Sequence, residues 1–268
     1  MPLVTTKDGT QLYVKDWGEG RPVVLIHGWP LNSDSWETVA LRLAESGHRV
    51  IAYDRRGFGR SGQPYGGYDY DTLADDLGTV ISELGLTDAA IAGFSMGGGE
   101  VARYMSRHDG RGVKQAALIA SVAPGMLKSG HNPDGVTEDV FAGMRAGLRK
   151  DRPAFLQDFA RTFYGNKVSD GVLQWTLMMA MQASPKATLD CVDAFGTTDF
   201  TEDVKGIDVP TLVIHGTGDE IVPIALSGRR AAKLAKQAEL KEYEGRPHGL
   251  LATDGDRVAD DLIAFLKG

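Results

Sequence analysis

A single cysteine, Cys191, stands in a chain of 268 residues. Without an intrachain partner it excludes a disulfide framework, and it cannot build a cysteine-ligated zinc site. No apolar run approaches the roughly 20 residues of a membrane-spanning helix. The opening MPLVTTKDG lacks both the basic region and the apolar stretch of a secretory signal. Basic charge is also short. The 29 Lys and Arg against 36 Asp and Glu leave a formal charge of −7, which argues against general affinity for nucleic acid or anionic membrane. A composition of 42% hydrophobic and 24% charged residues is that of an ordinary globular chain, long enough to bury its core without a metal or disulfide staple. A soluble, cytoplasmic protein is the expectation.

What is present is a rhythm. Short apolar runs alternate with longer helical patterns, which predicts an α/β fold with a mostly parallel central sheet covered by helices. The opening reads as an antiparallel pair, Leu3–Thr6 and Gln11–Trp17, around the turn dipeptide Asp8-Gly9. Strands follow at Pro22–Ile26, Arg49–Tyr53, Asp88–Phe94 and Lys114–Ser121. Helices are predicted from Ser33 or Asp34 to Glu45, over Thr72–Leu84 and over Met96–Arg107. From about Met126 to Phe200 the β runs stop and only helical patterns remain. Alternation resumes with strands Thr211–Ile214 and Glu239–Tyr243 and helices Ala225–Gln237 and Asp254–Leu266. Two α/β segments, 1–125 and 201–268, therefore form one core domain, with 126–200 as a helical cap inserted into it.

The chemistry concentrates in Gly93-Phe94-Ser95-Met96-Gly97, a G-x-S-x-G match. The pattern alone is weak, but a predicted buried strand ends at Phe94 and a helix opens near Met96. Ser95 then sits on a sharp strand-to-helix turn, with glycines two positions either side leaving room for it. A serine hydroxyl needs a base to take its proton, and the base needs an acid to hold its tautomer. Of the three histidines well downstream, His131 falls in a polar stretch and His215 ends an apolar strand, where a structural role fits better. His248 lies on a loop between a strand and the last helix, so it is the expected base. Asp219 follows the strand Thr211–Ile214 through a glycine turn and is the expected acid; Glu220 is its rival, turned elsewhere by one position. Donors for an oxyanion are expected from the backbone N–H groups of Met96, at a helix N-terminus, and Trp29, since Pro30 has none. His27 is expected to buttress that loop.

One motif is a decoy. Gly57-Phe58-Gly59-Arg60-Ser61-Gly62 fits G-x-G-x-x-G after a strand, yet no helix opens at its last glycine to receive a pyrophosphate. Asp54, Arg55 and Arg56 beside it read as a structural salt-bridge turn. No spacing of histidines and carboxylates suggests a metal site.

With these residues in place, the chain resembles the α/β-hydrolase superfamily, and within it the bacterial aryl esterases and cofactor-free haloperoxidases, or perhydrolases. The likeness runs through KDGT (7–10), HGWP (27–30), YDRRGFGRSG (53–62), GFSMGGGEVARY (93–104), TLVIHGTGDEIVP (211–223) and PHG (247–249). It implies Ser95, Asp219 and His248 as a catalytic triad, Trp29 and Met96 as oxyanion donors, and no cofactor. It also implies a substrate pocket drawn from Trp29, Pro30, Val122, Phe159, Phe163 and Ile221, with Phe159 and Phe163 on one helical face. Met178, Met179 and Met181 are read as core filler.

The implied activity is hydrolysis of small aryl or short-acyl esters through an acyl-enzyme, with perhydrolysis when hydrogen peroxide replaces water. Haloperoxidase-type relatives carry Trp-Pro in the 27–30 loop, so Pro30 is the expected discriminator. Lactam or amide hydrolysis is the enzymatic alternative, and a ligand-sensing receptor the alternative of another class. Dehalogenase and epoxide hydrolase chemistry would place aspartate where Ser95 stands. A small-molecule ester is the expected partner, and the family's habit of forming trimers or hexamers implies a homo-oligomer.

Overall fold

The computed structural model describes residues 3–268, so Met1 and Pro2, which open the N-terminal segment and the first core segment above, lie outside it. Eight strands form one sheet: β1 (Leu3–Thr5), β2 (Gln11–Trp17), β3 (Arg21–Ile26), β4 (His48–Tyr53), β5 (Ala89–Phe94), β6 (Val113–Ile119), β7 (Thr211–Gly216) and β8 (Ala238–Tyr243). Their order is β1-β2-β4-β3-β5-β6-β7-β8. β1 and β2 pair antiparallel, as does β2 with β4, and every later neighbour is parallel.

Side chains alternate across this sheet, and both faces are covered. Val24, Ile26, Ile91, Leu118 and Val213 face one core, with α2 (Tyr70–Glu83), α3 (Met96–Arg107) and α8 (Gly228–Leu234). Val23, Leu25, Phe94, Ile119 and Ile214 face the other, with α1 (Glu37–Glu45) and α10 (Gly255–Leu266). That two-sided burial is why β5 and β7 are buried at every position and read as continuous apolar runs.

Between β6 and β7 the chain leaves the sheet for α4 (Glu138–Phe163), α5 (Asp170–Gln182) and α6 (Pro185–Thr197), the helical insertion. α4 breaks at Asp151 (φ −157°, ψ 88°), whose side chain accepts from Ala154 N at 3.1 Å and so restarts the helix just before Pro153.

Several expectations shift. The strand expected to reach Ser121 stops at Ile119, because Ala120 turns to φ 44°. The strand from Thr211 runs on to Gly216, which puts His215 inside it. The helix expected over 225–237 is only α8: Leu226 N closes a turn on Pro223 O (2.9 Å), and Ala235 is already extended. A short helix α7 (Thr201–Gly206) was unforeseen, and α9 (Leu250–Thr253) precedes α10 as a separate turn. Of the three methionines read as core filler, Met179 is buried but Met178 is 66% exposed and Met181 36%. Among the described residues, no helix is long and apolar enough to cross a membrane.

Candidate active site

Ser95 occupies the single residue between β5 and α3, at φ 54° and ψ −117°. A non-glycine residue there is strained, typically by about 1–3 kcal/mol, and persists only because its surroundings impose it. Ser95 N donates to Ile119 O (2.8 Å), while its carbonyl accepts from Gly98 N and Val122 N. The flanking glycines are steric necessities. A Cβ on Gly93 would stand 2.2 Å from Gly97 O, and one on Gly97 would stand 2.4 Å from Ile26 O.

His248 reaches Ser95 from the loop after β8. Its Nδ1 lies 2.7 Å from Asp219 Oδ2, and its Nε2 lies 2.9 Å from Ser95 Oγ. A carboxylate only accepts, so Nδ1 carries the proton and Nε2 is free to accept from the serine hydroxyl. The ring is fully buried, edge-on to Phe163 at 4.8 Å and tilted on Phe94 at 5.3 Å. Asp219, in the loop after β7, is held on its other oxygen: Oδ1 accepts from Ile221 N (2.9 Å) and Val222 N (2.8 Å). Burial alone would raise its carboxyl, but His248 and His215 beside it outweigh that and hold it well below the usual range.

His215 is the residue sequence reasoning placed too simply. It is buried, as a structural histidine would be, yet its Nε2 lies 2.8 Å from Val222 O and 3.2 Å from Asp219 Oδ2, while Nδ1 has no partner. Its position four residues before the acid was the available signal. Glu220, the rival acid, is exposed and faces the cavity mouth instead. His131 is exposed.

The loop after β3 is pinned from below. Arg55 Nη2 donates to His27 O (2.7 Å), and Arg55 Nε donates to Glu100 Oε2 of α3 (2.8 Å). Arg55 N donates to His27 Nε2 at 2.9 Å. Burial first, then the charge of Arg55, drives the His27 ring down to about 3, so it stays neutral. One guanidinium thus ties the loop carrying Trp29 to the helix carrying Met96. Arg56 pairs with Asp76 and Asp8, and Arg60 with Asp54, so the G-x-G-x-x-G segment is an ion-paired turn, with its following helix delayed to Tyr70.

Ser95 and His248 open into an apolar cavity of about 440 Å³. Trp29, Met96, Val122, Phe159 and Ile221 line it; Pro30 and Phe163 do not. Phe163 packs behind His248, and Pro30 follows Trp29 through a cis peptide bond. The Trp29 indole donates to Thr188 O of α6 at 3.0 Å, and its ring meets Phe159 and Phe195 edge-on. Phe155 also lines the cavity, and its spacing four residues before Phe159 could have revealed it. Met126, Phe141, Met144 and Phe195 line it as well, and nothing in their spacing marks them out. Among the described residues, no group of three or more His, Cys, Asp and Glu side chains is placed to hold a metal ion.

A family model described as alpha/beta hydrolase fold matches residues 21–254. The chain belongs to the α/β-hydrolase family and is an enzyme of its hydrolase and perhydrolase group. It is similar over its whole length to a non-heme chloroperoxidase of Kitasatospora aureofaciens, at 46% identity with both chains fully covered. It is 43% identical to a bifunctional esterase/perhydrolase of Acinetobacter calcoaceticus, again over the full length of both. Among solved structures, a bromoperoxidase from Bacillus anthracis superposes with a TM-score of 0.97 at 39% identity, covering 100% of this chain and 99% of the other.

Proposed function

We propose that the protein is a serine carboxylester hydrolase acting on small aryl or short-acyl esters through an acyl-enzyme, with perhydrolysis as a second outcome of the same intermediate. The observation that carries this reading is the unbroken relay from Ser95 Oγ through His248 to Asp219, at 2.9 and 2.7 Å, at the wall of an apolar cavity.

In this reading Ser95 attacks the ester carbonyl as His248 Nε2 takes its proton, and Asp219 keeps the ring oriented while it carries charge. The N–H groups of Trp29 and Met96 hold the oxyanion, the latter at the positive end of α3. His248 then returns the proton to the departing alcohol, leaving an acyl group on Ser95. Water activated by His248 releases the acid; hydrogen peroxide in its place releases a peracid. Trp29, Val122, Phe159 and Ile221 contact the substrate, Phe163 supports the His248 ring, and Pro30 shapes the Trp29 backbone. The chain divides at 126 and 200, with the cap between forming much of the cavity wall.

The test is phenyl acetate hydrolysis over many turnovers by the wild type and Ser95→Ala. Sustained phenol release, reduced by about 10⁴-fold or more in the variant, is expected. Equal rates in the two proteins would remove Ser95 from the chemistry, and a single stalled burst would favour a ligand sensor.

A further inference from the structure

Apart from Ser95, His248 and Glu220 the cavity is lined by apolar residues, and methionine recurs among them. Three of the eight methionines, Met96, Met126 and Met144, line it. Met126 is only 3% exposed and Met96 is fully buried. A thioether is polarisable and adapts to irregular apolar space, which accounts for methionine in such a wall. Electrophilic oxygen also oxidises it readily, giving the sulfoxide.

These two properties meet if a peracid is made here. One molecule confined to a cavity of about 440 Å³ is at a concentration on the order of molar, far above any bulk level. The first oxidisable sulfurs it meets are those of the wall, before it reaches solvent. We propose that Met96, Met126 and Met144 form a self-oxidation site, at which peracid generated on Ser95 transfers oxygen to a pocket thioether. This rests on the perhydrolase reading above.

The step balances. Acyl-Ser95 and hydrogen peroxide give peracid and free Ser95. The distal peracid oxygen then moves to sulfur, the O–O bond breaks, and the proton that oxygen carried passes to the departing carboxylate, giving the carboxylic acid. Sulfur is oxidised by two electrons and the peroxide oxygen is reduced by two. The product carries a polar S=O into an apolar cavity, so apolar esters bind less well and the enzyme loses activity in proportion to peracid turnovers.

The chain contains its own controls. Met178 (66% exposed) and Met181 (36%) stand on α5 away from the cavity, so they report oxidant in bulk solvent, while Met105 and Met179 are buried outside it. Oxidant from solvent attacks exposed methionines first; oxidant born at Ser95 reverses that order.

The experiment incubates wild type and Ser95→Ala with phenyl acetate and hydrogen peroxide. Sulfoxide at each methionine is read by peptide mass spectrometry, and peracid by its oxidation of bromide. In the wild type, pocket methionines are expected to oxidise at least about fivefold faster than Met178 and Met181, and in Ser95→Ala this excess vanishes. A Met126→Leu/Met144→Leu variant should lose its own starting activity at least about twofold more slowly per peracid formed. Peracid production with Met178 and Met181 oxidised first, or equally fast, overturns the proposal and leaves the perhydrolase reading intact. Equal pocket oxidation in Ser95→Ala overturns it too, because bulk peroxide is then the oxidant. Ester hydrolysis with neither peracid nor pocket sulfoxide overturns both readings together.

Discussion

His215 and His248 approach the same oxygen of Asp219: Nε2 of the first lies 3.2 Å from Oδ2, Nδ1 of the second 2.7 Å. With two backbone N–H groups on Oδ1, this carboxylate is fixed on every side. His215 Nε2 carries its proton because Val222 O, at 2.8 Å, can only accept. His215 is therefore a positioning residue for the acid. His215→Leu removes that donor and raises the Asp219 carboxyl. A fall in kcat of about tenfold with KM nearly unchanged is expected. His215→Gln, whose amide can still donate, should recover part of it. A loss confined to KM would contradict the role.

The turn at Ser95 makes a prediction about stability. At φ 54° and ψ −117°, glycine is at ease and alanine is not. Ser95→Gly should be more stable than Ser95→Ala by about 1 kcal/mol, a rise in Tm of about 2–4 °C, although both are inactive. Calorimetry of the two variants decides it.

Acid should weaken the fold in two stages. His27 titrates near 6.5 when unfolded but is held down to about 3 by burial and Arg55, so between those values only the unfolded chain binds the proton. Stability therefore declines as pH drops below 6.5. Asp219 adds a loss below its unfolded value of 3.8, since its folded carboxyl is depressed and its contribution is complete only above that pH. His27→Gln, which can still accept from Arg55 N, should flatten the first stage in urea melts at stepped pH. An unchanged slope would exclude His27 as its source.

Pro30 bears on the choice between water and peroxide. It cannot donate an N–H and it restricts the residue before it, Trp29, whose ring lines the cavity. On the perhydrolase reading proposed above, the Trp29 carbonyl is the group that would accept a hydrogen bond from attacking peroxide. Pro30→Leu should lower the peracid-to-acid ratio by about tenfold while ester hydrolysis persists. Product partitioning at fixed peroxide measures it, and an unaltered ratio would remove Pro30 from that role.

How far the sequence reached depended on how local each signal was. The strands expected at Pro22–Ile26, Asp88–Phe94 and Thr211–Ile214 announced themselves because two-faced burial demands unbroken apolar runs. Ser95, Asp219 and His248 sit in loops at strand ends, where turn chemistry marks them. Helix α8 was overdrawn because a tertiary bond decides its start: Ser227 Oγ donates to Ala123 O at 3.1 Å, 104 residues away. The same limit hid the cavity. Met144 and Phe195 meet there only through the packing of α4 and α6, Met126 joins them from the segment after β6, and spacing along one helix cannot report a partner on another element. Arg55 likewise read as one member of a turn, since its bond to Glu100 spans 45 residues.

β6 and β7 lie side by side, Ala116 against Thr211 and Ile119 against Ile214, although the whole helical excursion separates them in sequence. Because the two strands run parallel, the chain leaves at the C-terminal end of β6 and re-enters at the opposite edge of the sheet, at the N-terminal end of β7. Any segment able to bridge that one gap could replace the excursion without moving a strand. Relay and roof are thus separable parts: the ends of the sheet strands carry Ser95, Asp219 and His248, and the excursion supplies much of the wall above them.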